Sequence, residues 1–282
     1  MVMDILKRNN VRIFGDGDKV MMLAHGFGCD QNVWRHLIDA YQKEHTLIVF
    51  DFVGAGQSDL SAYDSLRYST LDGYAADVLE IIETLNLRNV ILVGHSVSSM
   101  IGVRAAINKP EYFSQLVFVA PSPYYINDGD YVGGLDKADL EALFEMMESN
   151  YLGWSSAMAP LIMGNPHKPE LGEELTANFC ATDPDIAREF ARVTFFSDSR
   201  GDLVKLTVPS VTLQCNQDML APLHIGDYIK RYTPNNSLVI LDATGHCPHL
   251  SAPAQTIEAI NCYLFSDNNL IDAKLLSPDL FT

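Results

Sequence analysis

The stretch Asn89-Val90-Ile91-Leu92-Val93-Gly94-His95-Ser96-Val97-Ser98-Ser99-Met100-Ile101 decides the fold. Residues 89–93 form a continuous apolar run, the pattern of a strand buried on both faces. A helical run, residues 97–107, follows. Between them, Gly94-His95-Ser96-Val97-Ser98 sets a serine on a sharp strand-to-helix turn. Such a turn lifts the hydroxyl above the C-terminal edge of a sheet, with a helix N-terminus beneath it. The turn is crowded and needs small neighbours, which Gly94 supplies. Ser98 stands where the pattern G-x-S-x-G has its second glycine.

Outward from this elbow, similar apolar runs recur at residues 20–24, 46–50, 115–119, 210–215 and 237–241. Helical patterns fall between most of them. In residues 71–85, Ala75, Val78, Leu79, Ile82 and Leu85 share one helical face. Alternating strand and helix predicts an α/β fold: a mostly parallel central sheet, helices on both faces, right-handed crossovers. Residues 11–14 add an antiparallel edge strand. The rhythm breaks between 122 and about 205. There helices are predicted over 136–151, 154–163, 169–180 and 184–196, with no strand among them. Asp136 is a plausible N-cap, and Asp183-Pro184 combines a capping carboxylate with proline at the first helical position. This block reads as a four-helix lid inserted into the sheet domain. The division is thus 1–121 (core, first part), 122–205 (lid), 206–265 (core, second part) and 266–282, a less periodic tail expected to attach loosely.

Composition narrows the function. The 282 residues carry a formal net charge of −17. That balance argues against nucleic acid, which calls for clustered Lys and Arg, and against anionic membrane surfaces. No apolar run approaches a membrane span, and residues 1–10 lack the apolar centre of a signal peptide. The five cysteines, Cys29, Cys180, Cys215, Cys247 and Cys262, form no C-x-x-C pair. Neither a metal site nor a disulfide framework is expected, and a reducing cytoplasm fits.

The chemistry follows from order along the chain. After a serine on such an elbow, an acid and then a base are required. Asp218 lies just past the strand 210–215, and His246, preceded by Gly245, just past the strand 237–241. In a triad, His246 takes the proton of Ser96 while Asp218 fixes the imidazole tautomer. His249 is the rival base. His25-Gly26-Phe27-Gly28 follows the strand 20–24, and the backbone N–H groups of Phe27 and Val97 are the candidate oxyanion hole. His25 reads as structural. The loop from Asp51 through Gly54-Ala55-Gly56-Gln57-Ser58-Asp59 does not open a helix as a dinucleotide-binding loop would, so it too reads as a structural turn. No cofactor is called for. Trp154, Met158, Phe190, Val193 and Phe195 give the lid more apolar surface than packing on a sheet requires, and are candidate pocket residues. Glu141, Glu145 and Glu148 fall opposite the face of Leu140, Leu143, Phe144 and Met147.

Several stretches together resemble one α/β-hydrolase group, that of the bacterial stress-response regulator RsbQ and the plant karrikin and strigolactone receptors. They are Ala24-His25-Gly26-Phe27-Gly28-Cys29-Asp30-Gln31 with Trp34, Asp51-Phe52-Val53-Gly54-Ala55-Gly56, residues 94–102, Pro121-Ser122-Pro123, Tyr131-Val132-Gly133-Gly134 and Gly245-His246-Cys247-Pro248-His249-Leu250-Ser251. The likeness extends to about Phe265. It implies an α/β-hydrolase fold with a V-shaped lid over a hydrophobic pocket. It also implies a Ser96-Asp218-His246 triad and slow hydrolysis of small apolar esters or butenolide-type lactones. In several members a protein partner reads the ligand, for RsbQ a PAS-domain phosphatase. Trp154 and Phe195 match pocket-lining lid positions. Leu135 and Met158 stand where the plant receptors tend to carry aromatics, which favours a bacterial-type ligand. Three functions therefore stand open: hydrolysis through an acyl-enzyme, ligand sensing with a protein output, and other cofactor-free chemistry on the same fold, such as lyase or peroxidase work.

Overall fold

The six apolar runs and the edge segment 11–14 become seven strands in a computed structural model, which describes residues 4–265. The tail expected at 266–282 lies outside the described residues. The strands are β1 (Arg12–Phe14), β2 (Lys19–Ala24), β3 (His45–Val49), β4 (Val90–His95), β5 (Phe113–Val119), β6 (Ser210–Gln217) and β7 (Asn236–Thr244). They form one sheet in the order β1-β3-β2-β4-β5-β6-β7. Only β1 runs antiparallel, with Ile13 opposite Ile48; every other pair is parallel. The serine elbow therefore leaves the central strand. In its register, Gly94 pairs with Ala24 on one side and Phe118 on the other.

Alternation along each strand feeds two cores. Met21 and Leu23 point with Val93, Val117 and Leu213 into the layer that continues into the lid. Met22 and Ala24 join Ile48, Leu92 and Leu116 against the helices Leu71–Thr84 and Val97–Asn108. Both faces are covered, which is why these strands are apolar throughout rather than alternating.

Between β5 and β6 stand the four lid helices, Lys137–Ser149, Tyr151–Met163, Pro169–Ala181 and Pro184–Phe196, followed by the single turn Arg200–Leu203. The first junction differs from the sequence reading. The Asn150 side chain accepts the Gly153 N–H at 3.0 Å, so the first helix stops at Ser149 and the second starts at Tyr151 rather than Trp154. Asp136 makes no side-chain cap; its carboxylate accepts from Asn127 Nδ2 instead, at 2.8 Å. Asp183 does cap, accepting from the N–H groups of Asp185 and Ile186. Polar contacts fasten the helices to the sheet domain: Arg35 forms a fork with Glu174 at 2.6 and 2.9 Å, and Tyr63 donates to Glu189 at 2.8 Å. Among the described residues, no helix is long and apolar enough to cross a membrane.

Candidate active site

Ser96 sits at φ 56°, ψ −123°. This is the left-handed side of backbone space, costly for a non-glycine residue and held only where neighbours over-determine it. Here the Ser96 N–H donates to the Val119 carbonyl at 2.8 Å. A Cβ on Gly94 would lie 2.6 Å from the Ser98 carbonyl oxygen, so the close start of the helix excludes any side chain there. The loop after β2 presses on the same turn: a Cβ on Gly26 would stand 2.6 Å from His95 Nδ1 and 3.2 Å from Ser96 Cβ.

The serine at the second glycine position has a task of its own. Ser98 Oγ donates to the carbonyl of His25, and Ser99 Oγ to that of Gly94 at 2.8 Å. His25 is structural: its Nε2 accepts the Phe52 N–H at 3.2 Å, so its Nδ1 donates to the Gly26 carbonyl at 2.9 Å. The Asp51 loop is also structural. The Asp51 carboxylate accepts from the Gln31 and Gln57 N–H groups, from Gln31 Nε2 and from Asn10 Nδ2.

The ends of β6 and β7 bring two further side chains to the elbow. His246 Nδ1 lies 2.7 Å from Asp218 Oδ2, and His246 Nε2 lies 2.7 Å from Ser96 Oγ. The other Asp218 oxygen accepts the N–H groups of Leu220 and Ala221. An ionised Asp218 leaves Nδ1 as donor and Nε2 as acceptor for the serine proton. The lid also holds the backbone here: the main-chain N–H of His246 donates to the Ile162 carbonyl at 3.0 Å. Gly245 fits there because a Cβ would meet the Met163 carbonyl oxygen at 1.8 Å. His249 stands apart. Neither of its ring nitrogens has a partner, it packs 4.6 Å from Trp34, and burial drives its pKa well below the usual histidine value.

Val97 is the first residue of its helix, so its N–H has no acceptor within that helix. The loop carrying Phe27 lies against this turn through Gly26. The Phe27 ring joins an aromatic cluster, 5.4 Å from Phe179 and 6.3 Å from Phe195.

Above Ser96 and His246 opens an apolar cavity. Leu135, Trp154, Met158 and Phe195 line it, with Leu140, Leu143, Phe144, Met147, Phe179 and Met219. Phe190 and Val193, expected there from sequence, do not line it. Phe190 stacks on Tyr74 at 4.4 Å and joins the core on the other side of the sheet, where Val193 also packs. The cause is helical phase: at about 100° per residue, the helix shows Ala191, Thr194 and Phe195 to the cavity and turns Phe190 and Val193 toward the sheet domain.

Sequence reading missed Tyr125. Its hydroxyl lies 3.2 Å from Ser96 Oγ, and burial pushes the phenol pKa up, so it stays protonated. The available signal was position: it follows β5, the neighbour of β4, at the strand ends where α/β proteins place their sites.

A serine elbow on the central strand of a mostly parallel sheet, with His and Asp supplied by later strands, defines a class. Residues 21–259 match the alpha/beta hydrolase family, and the chain belongs to it. Within that class it is similar to the karrikin insensitive 2 receptor CA of Petunia hybrida, 39% identical over 92% of this chain and 96% of that one. It is also 38% identical to the strigolactone esterase D14 of Arabidopsis thaliana, over 89% of this chain and 94% of the relative. Among solved structures, a hydrolase from Oleispira antarctica superposes with a TM-score of 0.90 at 44% identity, covering 93% of this chain and 97% of that one.

Proposed function

We propose that this chain is a serine hydrolase that cleaves a small hydrophobic ester or butenolide-type lactone through an acyl-enzyme. The observation that carries the reading is the continuous pair of 2.7 Å contacts from Asp218 through His246 to Ser96 beneath an apolar cavity. Ser96 Oγ adds to the ester carbonyl as His246 Nε2 takes its proton. The N–H groups of Phe27 and Val97 receive the charge on the carbonyl oxygen. His246 then protonates the departing alkoxide, which in a lactone stays tethered to the acyl group. A water deprotonated by His246 finally releases the acid and restores Ser96. The chemistry uses no cofactor. Relatives named as esterases support the ester class, and the nearly all-apolar lining supports a hydrophobic substrate. Five free cysteines suit a reducing compartment such as the cytoplasm. The test is aryl-acetate hydrolysis by Ser96→Ala at matched melting temperature, with intact-mass detection of an acyl adduct on the parent after exposure to an ester and lactone panel. Activity should fall by up to about 10⁶-fold and the adduct should vanish. Equal rates remove Ser96 from the mechanism.

A second reading, a ligand sensor acting through a signalling protein of the PAS-domain phosphatase type, is favoured by one helix. On Lys137–Ser149, Leu140, Phe144 and Met147 face the cavity while Glu141, Glu145 and Glu148 are exposed. One element thus touches both ligand space and solvent. Relatives named as receptors support it. A partner with a basic face would bind in a salt-sensitive manner. Binding of a purified candidate phosphatase that is indifferent to salt and to Glu141→Lys and Glu145→Lys would defeat the lid-docking idea.

A further inference from the structure

Behind Ser96 and His246 lies a second group of side chains that hydrolysis does not use. His95, Cys247 and His249 each offer one ligand atom, and these atoms lie within 4.8 Å of one another. All three residues are buried. Cys29, also buried and free, lies beside Cys247 and His95 and lines the same cavity.

The group is under-satisfied. His249 Nδ1, His249 Nε2 and His95 Nδ1 are buried without a hydrogen-bond partner. Buried polar atoms are normally paired, and each orphan costs the water it lost. Packing does not explain His249, since a phenyl ring would fill the place beside Trp34 without that cost. The tautomer of His95 is set: its Nε2 faces the His246 carbonyl at 2.8 Å and must donate to it, which leaves a lone pair on Nδ1. A backbone carbonyl bonded to the far nitrogen is the usual way a metal-binding imidazole is held.

We propose that Cys29, His95, Cys247 and His249 form a buried site for a thiophilic d¹⁰ cation, Zn²⁺, and that filling it slows hydrolysis. Two thiolates and two neutral imidazoles match the charge of Zn²⁺, so the dry site stays neutral. The donor set is that of tetrahedral zinc, with Zn–S of about 2.3 Å and Zn–N of about 2.0–2.1 Å. Those lengths put ligand atoms roughly 3.3–3.8 Å apart, within small side-chain shifts of the spacing of His95, Cys247 and His249; Cys29 would swing in as the fourth donor. Cys29, His95 and Cys247 line the apolar cavity, which gives the ion its route. Binding displaces the thiol protons to solvent. His95 immediately precedes Ser96, and Cys247 immediately follows His246. An ion that draws these ligands together pulls on both groups of the Ser96–His246 contact.

The experiment uses the full chain carrying Cys180→Ala and Cys262→Ala, which removes the two exposed thiols. ZnCl₂ is titrated against a chromophoric chelator, and CoCl₂ is added separately to read thiolate-to-metal charge-transfer absorption. The parent should take up about one equivalent of zinc, release protons and show the cobalt–thiolate band. Cys247→Ser and His249→Asn should each weaken uptake by at least about tenfold. Zinc should slow aryl-acetate hydrolysis by the parent but not by His249→Asn. Melting curves establish folding, and if Cys247→Ser does not fold, Cys29→Ser takes its place. No uptake by the parent, no cobalt–thiolate band, or uptake unchanged by these substitutions overturns the site. Uptake lost only with His246→Gln would place the ion on the proposed triad instead, which also overturns it.

Discussion

The Ser98 hydroxyl donates to the backbone carbonyl of His25, tying the loop that carries Phe27 to the first turn of the helix beneath Ser96. A second glycine in the elbow would forgo this bond. Ser98→Ala should leave the His25 carbonyl unpaired, at a cost of about 1–3 kcal/mol. If that bond holds the Phe27 amide toward the oxyanion, kcat for an aryl acetate should fall about tenfold with KM nearly unchanged. A lowered melting temperature with unaltered kcat would assign the bond to folding alone.

The choice between two histidines is testable in one comparison. His246 bridges Ser96 and Asp218, whereas His249 has no polar partner among the described residues. His246→Ala should lose more than about 10³-fold in kcat, and Asp218→Asn about 10⁴-fold, because the amide favours the wrong imidazole tautomer. In metal-free buffer, His249→Ala should stay within about tenfold of the parent. An inactive His249→Ala beside an active His246→Ala would reverse the assignment.

What the sequence disclosed and what it hid follow one physical division. The strands were legible because a parallel sheet covered on both faces needs unbroken apolar runs, and 90–93 and 115–119 supply them. Ser96, Asp218 and His246 could be singled out because each ends or follows a strand, in an order the fold imposes. Lateral contacts between distant segments were not legible. Tyr125 reaches Ser96 only once β5 lies beside β4. The phase of the helix Pro184–Phe196 put Phe190 on Tyr74, which a count of apolar residues cannot reveal. Cys29, His95 and the pair Cys247 and His249 come from three separate segments, so they show no ligand spacing along the chain.

Tyr125 offers a finer probe of Ser96. Its phenol is buried and stays protonated, so it donates to Ser96 Oγ while the serine hydroxyl donates to His246 Nε2. That arrangement holds the oxygen of the proposed nucleophile in line with the proposed base. Tyr125→Phe removes one hydrogen bond worth about 1 kcal/mol, which corresponds to roughly a fivefold loss in kcat. KM should hardly move, because the ring remains. A rise in kcat would show instead that the phenol competes with His246 for the serine proton.

Two phenylalanines five residues apart on one helix should separate stability from substrate binding. Phe190 is buried against Tyr74, Phe52 and Phe27, in contacts that join the lid to the sheet domain. Phe190→Ala should cost about 3–5 kcal/mol of stability, as other buried aromatic truncations do. The melting temperature should drop by several degrees while KM changes little, provided the assay is run well below the transition. Phe195 is partly buried, lines the cavity and stands 5.0 Å from Tyr125. Phe195→Ala should remove apolar surface from the ligand's side, so KM for a hydrophobic ester should rise about tenfold with a smaller loss of stability. Thermal melts and initial-rate kinetics on the two variants decide the matter. If Phe190→Ala raises KM while Phe195→Ala only lowers the melting temperature, the helix presents the opposite face to the substrate in solution.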